Sequence, residues 1–163
     1  MRVYGVTGWK NAGKTGLMER LVAEITKRGL TVSTVKHAHH AVDVDQPGTD
    51  SFRHRDAGAS EVLLASGKRI AVMQELRGAP EPPLADLLAR LLPVDLVLIE
   101  GFKRERHPKI EAFRAEAGNA LMAGENNTIR AIASDTPLQV GVPVFDLNDT
   151  SAIADFILKE VGL

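Results

Sequence analysis

Apolar positions along this chain switch repeatedly between short runs that suit buried strands and three-to-four spacings that suit one face of a helix. Residues 2–7 form a β-prone run around Val3, Tyr4 and Val6, and Leu17, Met18, Leu21, Val22 and Ile25 then repeat at helical spacing until Gly29 stops them. Residues 31–36 predict a second strand. From 37 to 59 the chain is polar, without sustained periodicity and interrupted by Pro47-Gly48, so this stretch predicts a functional lid or switch. Two apolar runs, 61–66 and 69–73, flank Gly67-Lys68 and predict an antiparallel hairpin. Leu84, Leu87, Leu88, Leu91 and Leu92 keep helical spacing up to Pro93, predicting a helix packed in the core. Residues 94–99 are the most hydrophobic strand and end in Glu100-Gly101. Further strands are predicted at 109–113, 129–133 and 142–145. A last helix follows, capped by Asp149, Thr150 or Ser151, with Ile153, Phe156, Ile157 and Val161 facing inward.

Strands alternating with amphipathic helices predict an α/β fold: a mostly parallel sheet flanked by helices, with the hairpin as an antiparallel excursion. At 163 residues the chain suits one substantial core, and a single domain over 1–163 is expected. The near balance of 20 basic and 21 acidic side chains gives no reason to expect nucleic acid or an anionic membrane as partner. Cysteine is absent, which removes disulfides and thiolate metal ligands and is compatible with a reducing compartment. No stretch approaches a membrane span, and a cytoplasmic protein is expected.

The chemistry concentrates after the first strand. Gly8-Trp9-Lys10-Asn11-Ala12-Gly13-Lys14-Thr15, followed by Gly16, has the spacing of a phosphate-binding loop between a strand and a helix. Glycines at both ends let consecutive amides turn inward onto phosphate oxygens, and the positive end of the next helix reinforces them. Lys14 is expected to reach the β- and γ-phosphates, and the Thr15 hydroxyl to ligate Mg²⁺. Lys10 either contacts phosphate or is solvated. These features predict a P-loop NTPase fold, and functional groups of such sheets gather at the carboxyl ends of strands. Glu100, at the end of strand 94–99, is therefore the expected Mg²⁺-supporting carboxylate, one methylene longer than the usual Asp.

The polar segment offers further groups. Asp50 and Asp45 are candidates to support Mg²⁺, and Arg53 or Arg55 to neutralise charge on a transferred phosphoryl group. His37, His39 and His40 offer imidazoles, yet strand alternation separates His40 from the other two, which disfavours one shared metal site. Lys36 has the stronger claim on an anion. At a late strand's end, Ser134-Asp135 stands where a base reader belongs, and the Asp135 carboxylate can accept two protons from guanine. The residues alone leave GTP and ATP both open.

Taken in order, the loop at 8–15, Val35-Lys36-His37 with His39-His40, Asp43-Val44-Asp45 to Gly48-Thr49-Asp50-Ser51, Ala57-Gly58-Ala59, Leu98-Ile99-Glu100-Gly101-Phe102-Lys103 and Ala133-Ser134-Asp135 resemble the molybdopterin-guanine dinucleotide biosynthesis adaptor family, MobB. The resemblance runs from the first strand to the last helix. It implies a GTP-binding protein with weak Mg²⁺-dependent GTPase activity that assists attachment of GMP to molybdopterin, partnered by the guanylyltransferase and assembled as a homodimer. It also makes Lys36, His37, Arg53, Lys103 and the basic loop 103–106 candidate phosphate or pterin contacts. The alternative is a small-molecule kinase that holds ATP on the same loop, with Arg53, Arg55, Arg104 and Arg106 available for a lid.

Overall fold

The computed structural model describes residues 1–38 and 42–163, and the chain divides into two compact units: Met1–His37 with Leu91–Leu163, and Ala38–Arg90.

In the first unit the strands are β1 (Arg2–Thr7), β2 (Val32–Lys36), β5 (Leu96–Glu100), β6 (Lys109–Phe113), β7 (Ile129–Ser134) and β8 (Val144–Asp146). They form one sheet in the order β2-β5-β1-β6-β7-β8, with every neighbouring pair parallel. The expected parallel sheet is thus realised. All five residues of β5 are buried, which explains its unbroken apolar run. Side chains alternate across the sheet, so Tyr4, Val6, Leu96, Leu98, Ile110 and Ala112 share the core with Leu17, Leu21 and Ile25 of α1 (Lys14–Lys27) and Ile153, Ala154 and Ile157 of α4 (Thr150–Val161). Burying each of the larger side chains stabilises the fold by roughly 2 kcal/mol. Asp149 caps α4, its carboxylate accepting from the Ala152 amide at 3.0 Å, as expected.

The connections from β5 to β6 and from β6 to β7 contain no α-helix among the described residues, only a short 3-10 turn at Ala115–Ala117. Their sequence explains this: Gly101, Pro108, Gly118 and Gly124 interrupt them, and no apolar repeat at helical spacing survives. These irregular segments build much of the surface next to the phosphate loop.

The second unit contains α2 (Asp50–Asp56), β3 (Glu61–Ala65), β4 (Ile70–Gln74) and α3 (Leu84–Ala89). The polar segment, which shows no sustained periodicity, nevertheless contains α2. Thr49 supplies the reason, because its hydroxyl accepts from the Phe52 amide and starts the helix at Asp50. The hairpin pairs Glu61 with Gln74 through to Ala65 with Ile70, and stands as a two-stranded sheet of its own. The leucine-rich helix departs from expectation. It ends at Ala89, only Leu84 is buried, and Leu92 is 83% exposed. Helical spacing therefore overstated its burial, since Pro93 and the turn before it end the helix before Leu91 and Leu92 can join its face.

Candidate functional site at the phosphate loop

The loop between β1 and α1 is held open by backbone geometry that few residues tolerate. Gly8, Asn11 and Gly13 all have left-handed φ, at 142°, 64° and 90°. A Cβ on Gly8 would lie 2.4 Å from the Ala112 carbonyl oxygen, so β6 passes too close for any side chain there. Gly13 precedes α1 without any side-chain cap, which leaves the first amides of the helix aimed at whatever anion fills the turn. Lys14 folds back over the loop and donates to the Trp9 carbonyl oxygen at 2.7 Å. Burial lowers its pKa, and the Glu100 carboxylate pulls in the opposite direction.

Strand register brings the second half of the site to the first. Lys36 of β2 lies beside Glu100 of β5, with Lys36 Nζ 3.5 Å from Glu100 Oε1. Thr15 Oγ1 donates to the same oxygen at 3.3 Å. A hydroxyl and a carboxylate so close are hard oxygen donors of the kind Mg²⁺ takes, directly or through its water shell. Gly101 and Phe102 follow with left-handed φ of 96° and 45°, and this turn stacks Phe102 on His37 at a centroid distance of 4.4 Å. Lys103 comes back over the loop, its ammonium 4.4 Å from the centre of the Trp9 ring. Thr15, Glu100, Lys36, His37 and Lys103 therefore converge on one rim with the loop residues 8–16. Lys10 is exposed on the loop.

Ser134 and Asp135 lie further along the same edge, in a cavity of about 360 Å³ shared with Thr136, Leu138 and Phe145. One Asp135 oxygen accepts from the Ala115 amide at 3.0 Å, which fixes the carboxylate's direction. The Ser134 hydroxyl is turned inward and donates to the Thr136 carbonyl oxygen at 2.7 Å.

One residue was missed from sequence. Arg114 lines a cavity of about 530 Å³ with Asn11, Gly13, Lys14, Thr15 and Gly16. Its guanidinium Nε is 3.1 Å from where a Gly13 Cβ would stand, so it borders the turn before α1 directly. Its position just past the end of β6, the strand next to β1, was the available signal.

In the second unit, Arg55 corrects an expectation. Its guanidinium meets Asp43 at 2.9 Å, Glu75 at 2.6 Å and Asp45 at 3.4 Å. With three carboxylates around it, it is committed to structure and not free to neutralise a phosphoryl group. Asp45 is likewise engaged, accepting from Thr49, Ser51 and the Gln46 amide. Asp50 and Arg53 are exposed on α2. His39 and His40 lie outside the described residues.

The molybdopterin guanine dinucleotide synthesis protein B family model matches residues 3–135. The molybdopterin-guanine dinucleotide biosynthesis adapter protein of Haemophilus influenzae is 41% identical over 158 residues, covering 95% of this chain and 86% of that protein. The adapter protein of Escherichia coli is 39% identical over 155 residues, covering 93% and 88%. A crystal structure of a MobB homologue from Bacillus stearothermophilus superposes with a TM-score of 0.74 at 32% identity, covering 99% of each chain. With the parallel sheet, the phosphate loop and these matches in agreement, the chain belongs to the molybdopterin guanine dinucleotide synthesis protein B (MobB) family.

Proposed function

We propose that this chain binds GTP with Mg²⁺ on the phosphate loop and acts as an adaptor in the conversion of molybdopterin to molybdopterin guanine dinucleotide. The observation that carries the nucleotide reading is the Thr15–Glu100 pair, 3.3 Å apart beneath an uncapped helix start and a loop with three left-handed residues. In this reading the amides of residues 8–16 and the Lys14 ammonium hold the phosphates. Thr15 and Glu100 hold Mg²⁺. Mg²⁺ supplies charge neutralisation between the phosphates. Arg114 adds positive charge at the Gly13 side of the turn. Asp135, already oriented by the Ala115 amide, reads the guanine edge, with Ser134 beside it.

The adaptor role rests on family membership and on relatives named as adapter proteins. Lys36, His37 and Lys103 gather cationic and aromatic surface next to the loop, suited to a phosphate or pterin. The partner in this reading is the guanylyltransferase, GTP turnover is slow, and the protein works in the cytoplasm as a homodimer. The exposed hairpin face of Leu63, Ile70 and Val72 supports the last point, because a second copy would cover it. Among the described residues no helix is long and apolar enough to cross a membrane. The kinase alternative is weakened by Arg55, whose three carboxylate partners remove it from a lid.

Reconstitution tests the proposal: purified guanylyltransferase, molybdopterin and Mg-GTP, with and without this chain. Faster formation of the guanine dinucleotide, lost with Lys14→Ala, supports the adaptor. No change in rate, or rapid phosphoryl transfer from ATP to a metabolite, overturns it.

A further inference from the structure

The carboxyl edge of the sheet sets out its charged groups in strand order. Lys36 ends β2, Glu100 ends β5, the phosphate loop leaves β1, Arg114 follows β6 and Asp135 follows β7. Glu100 meets Thr15 on one flank of the loop, and Arg114 packs against Gly13 on the other. With Mg²⁺ and the terminal phosphates at the Glu100 flank and a base at Asp135, the space before Arg114 falls to what joins them: the first phosphate and the sugar. That space is the cavity of about 530 Å³ lined by Gly13, Thr15, Gly16 and Arg114, and Glu116 lines it too.

A glycine and a pinned turn place Arg114. Gly13 has a left-handed φ of 90°, and the Cβ that any other residue would bring lies 3.1 Å from Arg114 Nε and 3.7 Å from Arg114 Cζ. The guanidinium therefore packs on the bare backbone of the turn. Next comes the 3-10 turn Ala115–Ala117, in which the Ala117 amide donates to the Arg114 carbonyl oxygen at 3.1 Å and the Gly118 amide to the Ala115 carbonyl oxygen at 3.1 Å. The Ala115 amide also donates to the Asp135 carboxylate at 3.0 Å, so one short segment carries Arg114, Glu116 and the support of Asp135. Glu116 Oε1 lies 3.7 Å from Arg114 Nη1, with the two side chains 77% and 42% exposed, so the pair contributes little to stability. A carboxylate beside a phosphate site opposes the ligand's charge unless a donor meets it. The paired hydroxyls of a ribose are such donors.

From this geometry we infer that Arg114 and Glu116 form a sugar clamp: Glu116 accepts from the ribose hydroxyls, while Arg114 holds that carboxylate in place and donates to the α-phosphate. β1 lies between Arg114 and the Glu100 flank, which puts the guanidinium at the sugar end of the phosphates. The clamp rests on the nucleotide reading given under Proposed function and goes beyond it, because it makes the site selective for nucleotides whose sugar keeps its hydroxyls.

Calorimetric titrations with Mg-GTP and with Mg-2′,3′-dideoxy-GTP test the clamp, on the native chain and on Glu116→Ala and Arg114→Ala. The native chain is expected to bind GTP roughly tenfold more tightly than the dideoxy nucleotide, about one charge-assisted hydrogen bond's worth. Glu116→Ala should shrink that preference to about twofold or less. Arg114→Ala should shrink it too and weaken GTP itself roughly tenfold. Both side chains are exposed, and an unchanged thermal midpoint will show that each variant is folded. The native ratio needs no substitution, so it decides the matter even where a variant misfolds. Equal native affinity for the two nucleotides, an unchanged preference in folded Glu116→Ala, or unchanged GTP affinity in folded Arg114→Ala overturns the clamp and leaves the nucleotide reading standing. No binding of either nucleotide by the native chain overturns both.

Discussion

Thr15 and Glu100, 85 residues apart in sequence, share a hydrogen bond in which the Thr15 hydroxyl donates to Glu100 Oε1 at 3.3 Å. β1 and β5 pair in parallel, so the end of the strand that launches the phosphate loop lies beside the end of the strand that presents the acid. This pairing predicts that Glu100→Gln, which keeps a hydrogen-bond acceptor but loses the charge, will need roughly tenfold more Mg²⁺ for half-maximal GTP binding. A magnesium titration at fixed GTP reads the effect directly, and an unchanged midpoint would remove Glu100 from the metal site.

The glycines of the loop are not equivalent. Gly8→Ala combines a φ of 142° with a 2.4 Å approach to the Ala112 carbonyl oxygen, and is expected to cost roughly 2–4 kcal/mol of stability. Gly16→Ala meets only the tip of Arg20 at 3.4 Å and sits inside α1, where alanine is the better helix former. It is expected to be neutral or stabilising by up to about 1 kcal/mol. Urea unfolding of the two variants separates these outcomes.

How much of this was legible beforehand differs by element. The loop, its flanking strand and helix, and strand β5 could be read because each joins a strong period to a chemical signature, such as Glu100 at the end of five buried residues. Strand β6 was placed correctly at Lys109–Phe113, but nothing local announced that Lys109 and Glu111 are buried. Their partners lie in irregular segments, several of them main-chain oxygens and amides that carry no pattern in the sequence. Arg114 escaped notice for a similar reason, since its nearness to Gly13 depends on which strand pairs with β1. The opposite error came at Arg55, where charge suggested catalysis and tertiary packing surrounded it with acids.

Acid sensitivity should trace to His107. Burial and the nearby Lys109 charge push its imidazole from an ordinary 6.5 down to about 4, and both ring nitrogens are buried without a hydrogen-bond partner. Between those values the unfolded chain takes up a proton that the folded chain refuses, so stability falls as pH drops from 6.5 toward 4. One such proton contributes at most about 1.4 kcal/mol per pH unit, and less here because the ring is only half-buried. Unfolding midpoints at pH 5 and pH 7 should differ less in His107→Leu than in the native protein. An identical pH dependence in both would show that other groups control it.

The hairpin offers a test of assembly. Leu63 and Val72 face each other across β3 and β4 and are 62% and 55% exposed, with Ile70 beside them. If the proposed homodimer forms through this face, Leu63→Glu/Val72→Glu will shift it toward monomer in sedimentation velocity, while leaving a folded protein. A dimer that survives both changes would place the interface elsewhere.

The central claim is that backbone amides at the start of α1 and the Lys14 ammonium hold the triphosphate of GTP. Calorimetric titration of the native protein and of Lys14→Ala with Mg-GTP and Mg-ATP tests it most directly. The account predicts a single saturating GTP site on the native protein, tighter than for ATP and weakened at least roughly tenfold in Lys14→Ala. Equal GTP affinity in the two proteins, or no heat with either nucleotide, would contradict it.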